Sequence, residues 1–114
     1  MNKTFLICPI RGVGQSDNMV FVAQLEAYGY EVYYPARDTD QEDETGIHIC
    51  FDNESAIRQA DYVHFVWDGK SQGCLFDLGM AFAMRKKIIV LHTPPPSEGK
   101  SFQNMVREYE NRYI

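Results

Sequence analysis

One carboxylate stands out from its surroundings. Between Cys74 and Met84 (CLFDLGMAFAM), Asp77 is the only residue charged at neutral pH. Its helical neighbours at three and four residues are Gly73, Cys74, Met80 and Ala81, so it belongs to no polar stripe. A carboxylate on an apolar helix is costly to bury without a partner. Buried beside a crevice, it acquires the shifted proton affinity typical of functional carboxylates. The plainer alternative is a side chain that reaches solvent or pairs with Arg85. Ser71, just upstream, is placed to cap the same helix. The N–H groups of Gln72 and Gly73 would then form a small site for an anion or a hydroxyl. A cap with no ligand is the competing reading. Gly73 and Gly79 let backbone or ligand approach closely. A helical glycine costs about 1 kcal/mol relative to Ala, so packing or access is expected at Gly79.

A second cluster is Ile10-Arg11-Gly12-Val13-Gly14. Glycines allow backbone N–H groups to turn toward an anion, and Arg11 adds a permanent charge with a forked donor set. Position 17 is Asp, so GxGxxG is not completed, and no GKS or GKT follows. A single phosphate suits the loop better than a dinucleotide; a tight turn with a surface Arg is the alternative. His64 reads as a core or sheet-face histidine. His48 and His92 are isolated, and no metal-ligand spacing links them, so neither metal nor cofactor is expected. Cys8, Cys50 and Cys74 form no CxxC pattern and read as free thiols, with Cys8 near enough to the first loop to line a site. Asp38 to Glu44 (DTDQEDE) reads as a solvated acidic loop, or else as a lid. Tyr33, Tyr34 and Trp67 are expected in the core, with one of them free to stack on a ligand ring.

The elements that must hold these residues alternate. Strands are expected at Lys3–Pro9, Glu31–Tyr34, Tyr62–Trp67 and Lys87–His92. Helices are expected at Asp17–Tyr28, Ile47–Gln59, Cys74–Met84 and Ser101–Tyr113. Such alternation implies right-handed crossovers and a parallel sheet covered on both faces. A flavodoxin-like three-layer α/β/α domain with strand order 2-1-3-4 follows, spanning residues 1–114. In that topology ligands bind where strand order reverses, outside the carboxyl ends of strands one and three. The loops Pro9–Ser16 and Asp68–Gly73 meet there. The free edge of strand four must be covered by the last helix or by another subunit. With 114 residues, about two-thirds of the unfolded chain's surface can be buried, enough for one core. The net charge of −5 argues against non-specific binding to nucleic acid or anionic membranes. FLICPI is too short for a membrane span and reads as a buried strand, which leaves a cytoplasmic protein with reduced thiols.

ICPIRG, YYPAR, AD-YVHFVWD and above all SQGCLFDLGMAFA resemble the nucleoside 2-deoxyribosyltransferase superfamily, from about Thr4 to Arg107. The IRG loop is similar to the branch that hydrolyses 2′-deoxynucleoside 5′-monophosphates, where it holds the 5′-phosphate; Ser71 matches that branch's serine. The resemblance puts the family's nucleophilic Glu at Asp77, one methylene shorter. It puts a second carboxylate at Asn53, beside Asp52. Asn104-Met105-Val106 resembles a segment that family members lend to a neighbouring subunit's site.

The expectation is therefore cleavage of the N-glycosidic bond of a nucleoside or nucleotide. Asp77 is the nucleophile, and Asn53 or Asp52 orients the sugar. Arg11, Gly12 and Ser71 hold phosphate or hydroxyls, and Cys8, Ile10, Asp68, Gly73 and a partner's Asn104 line the site. Water gives hydrolysis, a second base gives transfer, and a homodimer or higher assembly is expected. A non-catalytic nucleotide binder on the same fold is the alternative, motivated by Asp77 and Asn53. A phosphoacceptor module ranks last: Asp68 ends strand three, but ICPIRG supplies no acidic pair.

Overall fold

A computed structural model describes residues 2–10, 12–13 and 17–112. The elements run β1 Lys3–Ile7, α1 Asn18–Ala27, β2 Glu31–Tyr33, α2 Pro35–Asp38, α3 Ile47–Gln59, β3 Tyr62–Val66, α4 Gln72–Ala83, β4 Lys87–His92 and α5 Phe102–Arg112. The four strands form one parallel sheet in the order β2-β1-β3-β4, as expected. β1 and β3 are central and buried on both faces, which explains why KTFLI and YVHFV read as continuous apolar runs rather than alternations.

The strands' period of two splits the core. Phe5, Ile7, Val63 and Phe65 pack with Ile57 of α3, Leu78 and Ala81 of α4, and Val106 and Tyr109 of α5. Leu6, Val32 and Val66 pack with Val22 and Leu25 of α1. Asn18 ties α1 to the end of β1 by donating to the Pro9 carbonyl at 2.6 Å. Gly29, at φ +97°, ends α1 in the left-handed conformation that glycine adopts without strain.

Both sheet edges are closed by side chains. On β2, Arg37 donates to the Val32 carbonyl at 2.7 Å, and Asp38 accepts from the Tyr34 N–H at 2.8 Å. On β4, Glu110 of α5 accepts from the Val90 N–H at 2.6 Å, so the last helix covers that edge. The pairing of β4 slips once: Phe65 pairs with Val90 but Val66 with His92, leaving Leu91 bulged.

The short α2 was not expected. Pro35 sets the first helical φ and tolerates the missing N–H, but four residues are too few to carry a helical period. The helix bearing Asp77, expected as the third, is consequently the fourth. The acidic stretch after α2 is folded: Asp43 accepts from the N–H groups of His48 at 2.7 Å and Ile49 at 3.1 Å, closing the start of α3. Those bonds hold its carboxyl below the usual range. No helix among the described residues is long and apolar enough to cross a membrane.

Candidate active site

The β3–α4 loop is built by its own side chains. Asp68 accepts from the N–H groups of Lys70 and Ser71, each at 2.8 Å, forming a tight turn. Partial burial pushes its carboxyl up, but these bonds prevail and leave it below the usual range. Trp67 donates through Nε1 to the Ser71 carbonyl at 3.1 Å. Gly69, at φ +81°, lies so close to the loop after β4 that a Cβ there would sit 2.9 Å from Pro94 Cγ. Ser71 then caps α4, accepting from the Cys74 N–H at 3.4 Å. Gln72 and Gly73 follow, both exposed.

From that start α4 places Cys74, Leu78 and Ala81 in the core and Asp77 half-buried beside α3. Burial pushes the Asp77 carboxyl up to about 7, and a hydrogen bond from the Asn53 side chain pulls the other way. Asn53 is 6% exposed. Its Oδ1 accepts from the Thr39 hydroxyl at 2.9 Å, and Thr39 Oγ1 lies 2.5 Å from the Tyr33 hydroxyl. Cys8, at the end of β1, has its thiol pushed up to about 12 by burial, then by the negative charge of Cys74 and of Asp77. The Cys74 thiol rises to about 11 through burial, opposed by its bond to Ser71. Both thiols are therefore neutral near pH 7. A carboxylate that ionises near neutrality, one amide donor and two neutral thiols surround this point. Among the described residues no cluster fits a metal ion.

The sequence profile of the nucleoside 2-deoxyribosyltransferase family matches residues 10–106. The chain belongs to that family. Two solved enzymes share the fold of this family member. The 2-deoxyribosyltransferase of the psychrotolerant bacterium Bacillus psychrosaccharolyticus is 19% identical, with TM-score 0.66, over 89% of this chain and 78% of that one. The CMP N-glycosidase of Clostridium botulinum is also 19% identical, with TM-score 0.61, over 96% and 82%. A search of curated proteins returns no match.

Of the residues expected at this 2-deoxyribosyltransferase-like site, Asp77, Asn53 and Cys8 come together, with Ser71 and Gly73 at the start of the same helix. Asp77 does not pair with Arg85, whose guanidinium donates to the Phe82 carbonyl at 2.6 Å. Asp52 departs from expectation. It is exposed and lines a separate cavity of about 910 Å³ along the β2 edge, between Arg37, Asp38, Ser55 and Gln59. Successive helical side chains point about 100° apart, so only one of Asp52 and Asn53 can face Asp77. Tyr33 lines that cavity too, while Asp77, Asn53 and Cys8 do not. Ile10 is 83% exposed, and Gly12 closes a turn by donating to the Pro9 carbonyl at 3.1 Å. Arg11 lies outside the described residues.

Asn104 is occupied within its own chain. It accepts from Ser97 N at 3.0 Å and donates to the carbonyls of Ser97 and Gly99, each at 2.7 Å, pinning the loop after β4. Trp67 stacks on Phe65 and Tyr34 is buried, so both serve the protein interior, whereas Tyr33 stacks on Phe5 but is half-exposed and lines the cavity along the β2 edge. His64 is 3% exposed, with Nδ1 2.6 Å from Thr4 Oγ1. Thr39 carried no expectation, and Tyr33 was expected in the core or against a ligand ring rather than as a hydroxyl partner of Thr39. A lone threonine after YYPAR carries no motif, and its partner Asn53 is fourteen residues away.

Proposed function

We propose that this chain breaks the N-glycosidic bond of a nucleoside or nucleoside 5′-monophosphate, with Asp77 as nucleophile. The observation that carries this reading is the placement of Asp77, half-buried where α4 meets α3 beside the buried Asn53, where burial raises its carboxyl to about 7. A carboxylate oxygen of Asp77 attacks the anomeric carbon as the carbon–nitrogen bond breaks. The base leaves with the bonding electron pair and takes a proton from solvent. Water then attacks the glycosyl ester, releasing the sugar and returning the carboxylate; a second base attacking instead gives transfer. The low-charge surroundings make the carboxylate poorly solvated and hence reactive.

Two helix starts flank the strand ends. Asp17 already places a carboxylate on α1, accepting from Met19 N at 2.9 Å. α4 is capped by the neutral Ser71 hydroxyl, so its Gln72 and Gly73 amides suit hydroxyl or phosphate oxygens better. Arg11 and Gly12 supply the remaining phosphate contacts in this reading, and a second subunit completes the site. Light scattering on a size-exclusion column tests the assembly; a strict monomer defeats that part.

The catalytic part is tested by incubating the protein with 2′-deoxynucleosides, ribonucleosides and their 5′-monophosphates and following free base. Release by wild type but not by Asp77→Ala supports it. Wild type indistinguishable from Asp77→Ala on every substrate sinks it. A second reading is favoured by the non-titrating Asn53, which cannot shuttle a proton: a nucleotide-binding protein without turnover. Calorimetric binding of a monophosphate with no base released would select that reading.

A further inference from the structure

The contacts behind Asn53 have a direction. Asn53 Oδ1 cannot donate, so the Thr39 hydrogen is spent on it. The close Tyr33–Thr39 contact, at 2.5 Å, then takes the Tyr33 hydroxyl as donor in preference to its longer 3.4 Å bond to the Asp38 carbonyl. With Oδ1 committed to Thr39, the amide's Nδ2–H is left for Asp77, whose hydrogen bond from the Asn53 side chain completes the chain. The far end is rigid: the Tyr33 ring stacks on Phe5 of β1, with centroids 5.5 Å apart and planes 14° from parallel. Thr39 and Asn53 are both buried, at 5% and 6% exposed, so neither hydroxyl nor amide can exchange its partner for water.

We propose that Tyr33 and Thr39 are positioning residues for Asp77: they lock the Asn53 amide so that it presents a donor, and never an acceptor, to the carboxylate. The anion is thereby held in one rotamer, and no shared proton is needed at that contact. A carboxylate at position 53 would accept the same Thr39 bond but turn an oxygen toward Asp77, and the pair would have to share a proton. The other titratable groups around Asp77 do not perform this task. Cys8 from the end of β1 and Cys74 from α4 are neutral thiols. Asp52 of α3 is exposed. Asp68 in the preceding loop is committed to Lys70 and Ser71. The inference rests on the proposed role of Asp77 for its catalytic meaning, but its physical content is independent of turnover.

The test is the titration of the Asp77 carboxyl carbon, followed by NMR in wild type, Thr39→Val, Thr39→Ser and Tyr33→Phe. Thr39→Val keeps the shape and removes the hydroxyl. It should raise the Asp77 midpoint by about half a pH unit or more. It should also lower kcat for base release by roughly tenfold with KM within about twofold, since geometry rather than binding is lost. Thr39→Ser should restore both. Tyr33→Phe, which leaves the Thr39–Asn53 bond in place, should give a smaller shift in the same direction and serves if Thr39→Val does not fold. An unchanged Asp77 midpoint in a folded Thr39→Val, or in Tyr33→Phe where Thr39→Val does not fold, overturns the proposal. Shifted midpoints in a protein that releases no base uphold the lock and remove only the proposed activity.

Discussion

His64 and Asp77 are both withdrawn from water, one on each face of the sheet, and they are handled in opposite ways. His64 lies among Tyr30, Tyr62 and Thr4 on the α1 side, and burial alone pushes its pKa down to about 4. It is neutral near pH 7, and it acts as a polar member of the core. Asp77 lies on the other side, between α3 and α4, and burial pushes it up to about 7. Its proton is therefore exchanged within the physiological range. Burial shifts both toward the neutral form. The difference is that Asp77 has a donor for its charged form, whereas among the described residues the imidazole meets a threonine hydroxyl and the edge of the Tyr30 ring. Desolvation alone keeps the imidazole neutral near pH 7; desolvation with a donor for the ion leaves the carboxyl exchanging its proton near neutrality.

The largest effect that separates the two is catalytic. Asp77→Asn should lower base release by about 1,000-fold or more if Asp77 is the nucleophile proposed above. The same substitution should stabilise the protein at high pH. Asp77 binds its proton more tightly folded than unfolded, so its stabilising contribution is complete below about pH 4 and is lost as pH rises through 7, by up to about 4 kcal/mol. Urea unfolding at pH 8 should show the variant above wild type, with the gap closing by pH 4. A variant less stable than wild type at pH 8 would break the comparison.

His64 has the reverse sign. Its folded pKa is depressed, so stability is present above about pH 6.5 and is lost as pH falls toward 4, by on the order of 3 kcal/mol at pH 4. His64→Leu should flatten this acid limb in urea titrations while leaving base release within about twofold of wild type, because the ring is remote from the reacting group. A large loss of activity would place His64 in the site after all.

Asn53→Ala sharpens the role of the donor. Without it, Asp77 keeps its burial and loses the bond that favours its anion. The acid limb of the pH–rate profile should move up by about one unit, with a rate loss near tenfold at pH 7. Unchanged profiles would mean that Asn53 merely fills space. The smallest effect is expected at Asp43, a half-exposed carboxylate that closes the start of α3 and the turn before it. Asp43→Ala should lower Tm slightly at pH 7, by an amount that disappears as pH falls through the lowered carboxylate range, with activity unchanged.

Much of this was readable from the residues. Buried strands announce themselves as FLI and VHFV because both their faces are covered. Ser71 announces a helix start, and Asp77 is conspicuous because everything around it is apolar. The lock on Asp77 was not readable, since Tyr33, Thr39 and Asn53 are brought together only by the packing of α3 against the β2 end of the sheet. The same holds for Asp43: an acidic run looks alike whether its carboxylates face water or close a helix. Asp52 and Asn53 were interchangeable in sequence until the phase of α3 was known. The four residues of α2 fall below the length at which periodicity can be seen.

The closed sheet edges carry a further consequence. Arg37 and Asp38 occupy the outward carbonyl and N–H at β2, and Glu110 occupies the outward N–H at β4. An arriving strand finds these ladder positions already taken by charged groups that it would have to displace and leave unpaired. At these positions the edges are poor templates for growing a continuous sheet, and concentrated solutions should resist fibril formation better with these three side chains in place than without them.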